Sequence, residues 1–318
     1  MQVYSKNVPS QLNPTQNKTS VILGFFDGVH RGHMTLIDEA KRDGCFTVVR
    51  MFSSIPKAEI LLTTTEEKLA LFEEAGVDAV IIDSFDELHG TDGKTFFDNY
   101  IMPLSPSRVV CGYNYRFGKD AAWTTDELRK YCSEKGVSCT VAAEYRYNGM
   151  TVSSRTIRGY ISEGKIIEAN DLLGRMYSVT DTVHHGKELG RTIGFPTVNQ
   201  RPVRHKALPM NGIYSSVSRF TLDGTAHSHA GVCNIGYRPT VNSDENDITL
   251  ETYIMGFSGN LYSVPVTTYF GERLRGEIHF PSVDALREQI ASDSVRAEES
   301  IKKYAPCYGM DVSYNSAL

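Results

Sequence analysis

The chain has 318 residues, 41% of them hydrophobic and 22% charged, with a formal net charge of −5 at pH 7. That length favours two domains with ample core, and the acidic balance argues against a general nucleic-acid binder. No apolar run is long enough for a transmembrane helix, and Met1–Ser20 is too polar for a secretory signal.

The first legible element is a short apolar strand beginning at Ser20. It runs into Gly24-Phe25-Phe26-Asp27-Gly28-Val29-His30-Arg31-Gly32-His33 and then into a helix. A strand–turn–helix junction aims backbone N–H groups at a ligand above the sheet edge. His30 and His33 fall on one face beside the positive helix end, where two imidazoles suit a polyphosphate on which charge builds. Gly32 lets the backbone approach the phosphates without a Cβ. The plainer alternative is a surface turn with two unrelated histidines.

Phe46–Phe52 is rich in strand formers. Thr64-Thr-Glu-Glu67 has the form of a capping box, and its helix carries Leu69, Phe72 and Ala75 before Gly76 stops it. Val77–Ile82 is an apolar run suited to a strand covered on both faces. A helix over Lys94–Ile101 is ended by Pro103, Arg108–Gly112 is the next strand, Thr124–Glu127 caps another helix, and Val137–Tyr147 extends again. Strands alternating with helices predict a doubly wound α/β domain with a parallel sheet and ligands outside the carboxyl ends of its strands. The His30/His33 turn lies at one such end, and Gly112–Gly118 follows another.

Val152–Arg158 predicts a helix capped by Ser153 or Ser154 that presents Arg155 and Arg158 on one face. It reads either as a second anion site or as a plain cap with solvated arginines. No P-loop, dinucleotide fingerprint, HExxH or Gly-x-Ser-x-Gly elbow is present. A nucleotide site without a covalent nucleophile remains.

Gly159–Gly174 reads as helical, and Gly174–Arg175 marks the expected boundary between domains 1–175 and 176–318. Beyond it come strands at Tyr177–Val183, Gly212–Thr221, Thr225–Gly236, Thr249–Phe257 and Ser263–Phe270, with a hairpin signal at Asp223-Gly224. They predict a small antiparallel β-barrel, closed by a terminal amphipathic helix over Ser282–Lys303.

Gly186–Asn199 holds glycines and the basic Lys187 and Arg191, as in a flap that cradles phosphates, or as in an ordinary glycine-rich barrel loop. Thr197 and Asn199 point the same way in extended chain, and their neutral oxygens suit Mg²⁺. Glu251 is the lone carboxylate in Thr249–Met255, either a general base or one residue of a solvated face. Six cysteines at 45, 111, 132, 139, 233 and 307 show no zinc spacing, as expected of reduced cytoplasmic thiols.

Gly24–His33, Gly112-Tyr-Asn-Tyr-Arg-Phe-Gly118 and Ser153-Ser154…Ile157-Arg158 together resemble the adenylyltransferase half of bacterial bifunctional riboflavin kinase/FAD synthetases (FMN adenylyltransferases), a Rossmann-like nucleotidyltransferase fold. The resemblance implies that His30, His33, Ser154 and Arg158 bind ATP phosphates, within a nucleotide motif that includes Gly24, Phe25, Asp27 and Gly32. It puts Asn114 close to the reacting groups. An FMN phosphate oxygen would then attack the ATP α-phosphorus, giving FAD and pyrophosphate.

Gly186…Gly190-Arg191…Gly194-Phe-Pro-Thr-Val-Asn199, Leu250-Glu251-Thr252, Asn260-Leu-Tyr262 and Leu274–Phe280 resemble the riboflavin kinase module. That resemblance assigns Gly186, Gly190, Arg191, Thr197 and Asn199 to nucleotide binding, the last two with Mg²⁺. Glu251 becomes the activator of the riboflavin 5′-hydroxyl, and Arg275 helps close the site over flavin. The chain departs from the family pattern at Phe25, Ser53–Pro56, Arg155, Gly256 and Ser263. The implied protein makes FMN from riboflavin and FAD from FMN with small molecules alone, without nucleic acid or membrane; a homo-oligomer is left open. The competing expectations are one retained activity, with the kinase kept, or a non-catalytic flavin-binding regulator.

Overall fold

The computed structural model describes residues 1–5, 12, 18–53, 60–186, 189–203, 205–238 and 247–314. It divides into two compact units, Met1–Ser154 and Arg155–Leu318.

The first unit runs β1 (Gln2–Tyr4), β2 (Thr19–Leu23), α1 (Arg31–Ala40), β3 (Phe46–Phe52), α2 (Thr65–Glu74), β4 (Ala79–Asp83) and α3 (Phe85–Leu88). Next come α4 (Gly93–Phe96), which widens into a π-helical turn over Phe97–Ile101, then β5 (Pro106–Gly112), α5 (Thr125–Glu134), β6 (Ser138–Ala142) and a hairpin of β7 (Arg146–Tyr147) with β8 (Met150–Thr151). Both capping boxes form: Thr64 with Glu67 on α2, and Thr124 with Glu127 on α5. The sheet order is β1-β4-β3-β2-β5-β6, all parallel.

Because side chains alternate along a strand, each strand feeds two cores. Ile22, Val49, Met51, Val80 and Val110 pack with α1 and α2. Val21, Leu23, Val48, Ala79, Ile81, Val109 and Cys111 pack with α4, the π turn and α5 on the other face. The sheet is therefore doubly wound, and its order reverses between β2 and β5, where such folds place ligands. The sequence reading missed β1, and it made one extended segment of β6 and the hairpin. Of Ser53–Pro56, only Ser53 lies within the described residues.

The second unit takes nearly all of α6 (Ser154–Ser162), then α7 (Ile166–Leu173), β9 (Tyr177–Thr182), α8 (Leu189–Thr192), β10 (Thr197–Gln200), β11 (Gly212–Leu222), β12 (Thr225–Arg238), β13 (Asp247–Ile254), β14 (Pro265–Arg275) and α9 (Val283–Tyr304). Its strands form one antiparallel sheet, β10-β13-β12-β11-β14-β9. The sheet curls until its edges meet, with the His184 N–H donating to the Asn199 carbonyl at 2.8 Å. Buried Gln200 ties the seam by donating to the Val266 and Asp181 carbonyls. Asp223 (φ 50°) and Gly224 (φ 78°) are both left-handed, as the two-residue hairpin between β11 and β12 requires.

The compact units part at Ser154–Arg155, earlier than the expected boundary near 175, because α7 packs on β9 and β14. Buried Asn170 donates to the Phe270 carbonyl at 3.0 Å and accepts from the Tyr177 N–H at 2.6 Å.

Candidate functional site

In the first unit, the turn after β2 is bent by left-handed backbone at Phe26, Gly28 and Val29. Left-handed non-glycine residues cost about 1–3 kcal/mol each and persist only where neighbours hold them. Here the neighbours are visible. Asp27, 3% exposed, accepts from the Leu62 N–H at 2.8 Å and the Thr63 N–H at 3.3 Å. The Gly28 N–H donates to Thr63 Oγ1, Ser154 Oγ donates to the Asp27 carbonyl, and Lys68 Nζ donates to the Phe25 carbonyl. Lys68 is buried on α2 with its ammonium 4.0 Å from the centre of the Phe25 ring. Burial pushes its pKa down to about 8, against the attraction of Asp27.

This bracing seats the two histidines. His30 is the N-cap of α1, its Nδ1 accepting from the His33 N–H at 3.3 Å. A neutral imidazole that accepts at Nδ1 carries its proton on Nε2. The rings stack 3.6 Å apart at 13°, and the Phe26 ring meets His33 edge-on. A Cβ on Gly32 would lie 3.3 Å from the His30 ring, and one on Gly24 would lie 2.9 Å from Phe26. Both glycines thus make room for the motif's own rings.

A cavity of about 430 Å³ opens above the carboxyl ends of β2, β3, β4 and β5. It is lined by Gly24, Phe25, Asp27, His30, Gly32, His33, Asn114 and Ser154, the expected residues of this unit. Asn114 is exposed in the loop after β5. Ser154 is the first residue of α6, and Arg158 lies further along that helix, within the second unit. Arg50, Asp83 and Lys68 are not among the residues expected from the sequence; the signals available for them are a charge inside the strand formers of Phe46–Phe52 and a lysine four residues before Phe72 on the buried face of α2.

In the second unit, strand pairing puts Asn199 of β10 opposite Glu251 of β13, and Glu251 opposite Asn234 of β12. Directly opposed residues share a face, so Asn199, Glu251 and Asn234 form one row across three strands. The Oδ1 of Asn234 is buried and has no hydrogen-bond partner among the described residues. Thr197, two residues before Asn199, lies on the same face.

A cavity of about 230 Å³ collects Gly190, Thr197, Asn234, Glu251 and Arg275. Asn199 is 8% exposed beside it, and a side chain at Gly186 would collide with its amide. A side chain at Gly190 would strike the Phe195 carbonyl. Arg191 is exposed on α8, and Lys187 lies outside the described residues.

The Arg275 guanidinium is held by Asp293 of α9, with Nη2 to Oδ2 at 2.6 Å and Nε to Oδ2 at 2.9 Å. Gln289 Nε2 donates to the other oxygen of Asp293, which is only 1% exposed. The sequence reading found Arg275 but not this support. Thr197, Asn199 and Glu251 offer hard oxygen donors. No cluster of three or more His, Cys, Asp or Glu able to hold a metal occurs among the described residues. Such a sparse oxygen set fits Mg²⁺, which takes the rest of its ligands from water and substrate phosphates.

One cavity at the reversal point of a doubly wound sheet and one in an antiparallel barrel define a two-domain protein built for nucleotide chemistry. Two family models match, FAD synthetase over residues 12–156 and riboflavin kinase over residues 173–301. A bifunctional riboflavin kinase/FMN adenylyltransferase of Listeria monocytogenes is 34% identical over 284 residues, spanning 85% of this chain and 88% of the relative. The protein of the same description from Escherichia coli K12 is 32% identical over 290 residues, 87% and 91% of the two chains. A crystal structure described as a macrolide-efflux protein from Streptococcus pneumoniae matches with TM-score 0.80 at 25% identity, covering 96% of this chain and 100% of that one. The chain belongs to the bifunctional riboflavin kinase/FMN adenylyltransferase family. It is an enzyme with both domains, the FAD synthetase preceding the riboflavin kinase.

Proposed function

We propose that the second unit phosphorylates riboflavin to FMN with ATP, and that the first transfers AMP from ATP to that FMN. The functional divide is set at about residue 175, between residues 1–175 and 176–318. The observation that supports the reading is that one cavity is lined by His30, His33, Asn114 and Ser154 and the other by Thr197, Glu251 and Arg275.

In the first unit, the paired imidazoles of His30 and His33 and the amides opening α1 stabilise charge as the α-phosphorus is attacked and pyrophosphate leaves. Asn114 orients the reacting groups from the loop after β5. Gly24, Phe25, Asp27 and Ser154 build and hold the nucleotide turn. Catalysis here is positioning plus electrostatics, with no covalent intermediate.

In the second unit, Glu251 takes the proton of the riboflavin 5′-hydroxyl as that oxygen attacks the γ-phosphorus. Thr197 and Asn199 hold the Mg²⁺–nucleotide, and Gly186, Gly190 and Arg191 fold over its phosphates. When bound, Mg²⁺ neutralises phosphate charge. Arg275, fixed by Asp293, closes the flavin side. The retention of a general base argues against a mere flavin sensor. Six free thiols and the absence of a membrane-length apolar helix among the described residues support a cytoplasmic place. The net charge of −5 supports small molecules rather than nucleic acid as partners.

The test is incubation with riboflavin, ATP and Mg²⁺, followed by chromatography of the flavins. Successive FMN and FAD are expected. FMN alone would leave one activity, and no conversion would favour the sensor.

A further inference from the structure

The first cavity has a polar side beside α1, and a second side that phosphate chemistry does not explain. On β3 and β4, pleat alternation continues Val48 to Arg50 and Phe52, and Ala79 and Ile81 to Asp83, all on the face that packs against α4 and α5. The register pairs Arg50 with Ile81 and Phe52 with Asp83, so the two charges fall side by side at the carboxyl ends of neighbouring strands. Arg50 Nη2 lies 2.6 Å from Asp83 Oδ1, with side chains 6% and 11% exposed. Arg50 Nη1 donates to the Tyr100 carbonyl at 2.8 Å, and its Cζ lies over the Tyr100 and Phe96 rings. Its buried Nε has no hydrogen-bond partner among the described residues. Burial pushes the Asp83 carboxyl up, and Arg50 opposes that shift.

Stability does not account for such a pair. Desolvating two charges commonly costs as much as their attraction returns, and an apolar pair of similar volume is often as stable or more so. Both residues instead line the cavity, beside the rings of Phe52, Phe85, Phe96 and Tyr115. Aromatic walls with one buried donor–acceptor pair suit a flat aromatic ligand that has a polar edge. Isoalloxazine is such a ligand: its pyrimidine edge alternates carbonyl acceptor, N3–H donor and carbonyl acceptor. A guanidinium and a carboxylate side by side complement that edge. Adenine, the other ring system of the reaction, belongs with the triphosphate on the α1 side, where the His30/His33 turn sits.

Resting on the adenylyltransferase reading, we propose that Arg50 and Asp83 recognise the pyrimidine edge of the flavin in the first unit, Asp83 accepting from N3–H and Arg50 donating to a flanking carbonyl. The pair selects flavin and does not act on the phosphates.

The test compares FMN with 3-methyl-FMN, which lacks the N3–H donor, in the full-length protein. In the wild type, 3-methylation should raise KM for FAD formation about 10- to 100-fold, as for loss of a hydrogen bond to a charged group. In Arg50→Met with Asp83→Leu, FMN itself should have the raised KM, 3-methylation should add nothing, and KM for ATP should stay within about twofold, because an edge that is no longer read cannot discriminate. Equal KM values for the two flavins in the wild type overturn the proposal whether or not the double variant folds. A raised KM for ATP in place of FMN overturns it in favour of adenine. Flavin-fluorescence titration reads the same discrimination without turnover. A binding component lost in the double variant and weak for 3-methyl-FMN, in a wild type that makes no FAD, would support edge recognition and remove the transfer reading instead.

Discussion

The two units handle the same nucleotide with opposite constructions. The first carries its proposed phosphate turn between β2 and α1, so most of its candidate residues are neighbours in sequence, and hydrogen bonds of Asp27, Thr63, Lys68 and Ser154 brace that turn. The second lays Asn199, Glu251 and Asn234 across three strands, so its residues are neighbours only once the sheet has paired. A site on one turn fails when its brace fails; a site on a strand row fails one side chain at a time. That difference sets what each substitution should do.

The largest effect falls on the row. Glu251→Gln should cut FMN formation about 10²- to 10⁴-fold, while FAD formation from supplied FMN continues at the wild-type rate; unchanged kinase turnover would remove the base role. The turn comes next. His30→Ala combined with His33→Ala should lower FAD synthesis about 10²- to 10³-fold, as for lost transition-state donors. The kinase should be untouched, and intact FAD synthesis would refute the assignment.

Asp293→Ala strands the Arg275 guanidinium, and removing one partner of a buried pair costs about 3–5 kcal/mol. Denaturant titration should therefore show the second unit unfolding earlier, with weaker riboflavin binding and an unaltered first unit. Equal shifts in both units would contradict separate construction.

The smallest effect concerns Lys68. Its pKa is lowered from 10.5 to about 8 by burial, so it sheds charge as pH rises through that value. The hydrogen bond to the Phe25 carbonyl weakens, and FAD formation should decline with an inflection near pH 8 that Lys68→Met abolishes. The stability contribution runs the other way. Between about pH 8 and 10.5 the unfolded chain binds the extra proton, so this group makes folding more favourable as pH rises. Activity falling while the melting temperature holds or climbs separates a braced turn from simple unfolding.

The same contrast governs what could be read from the chain. The turn was legible because its residues are contiguous and both capping boxes announce their helices. The barrel was legible as strands, since Tyr177–Thr182, Gly212–Leu222 and Thr225–Arg238 follow β-formers and a turn. Its row was legible only in part: Glu251 stood out as a lone carboxylate, while Asn234 acquires a meaning only from the register that sets it opposite. Asp293 looks like one more polar residue of an amphipathic helix until α9 docks and buries it. β1 escaped because three residues at a sheet edge carry too little pattern, and its pairing with β4 is a long-range event. Arg50 lies inside the predicted strand Phe46–Phe52, whereas Asp83 falls one residue past the predicted Val77–Ile82, and their partnership depends on the parallel register.

The central claim is that one chain holds two separable sites, the proposed kinase in the second unit and the proposed adenylyltransferase in the first. Mixing Glu251→Gln protein with the His30→Ala, His33→Ala protein, then supplying riboflavin, ATP and Mg²⁺, tests it most directly. Alone, the first should convert riboflavin only at its residual rate and the second should accumulate FMN; together they should make FAD much faster than either. A mixture that yields no FAD, or either variant alone making it as fast as the mixture, would contradict the account.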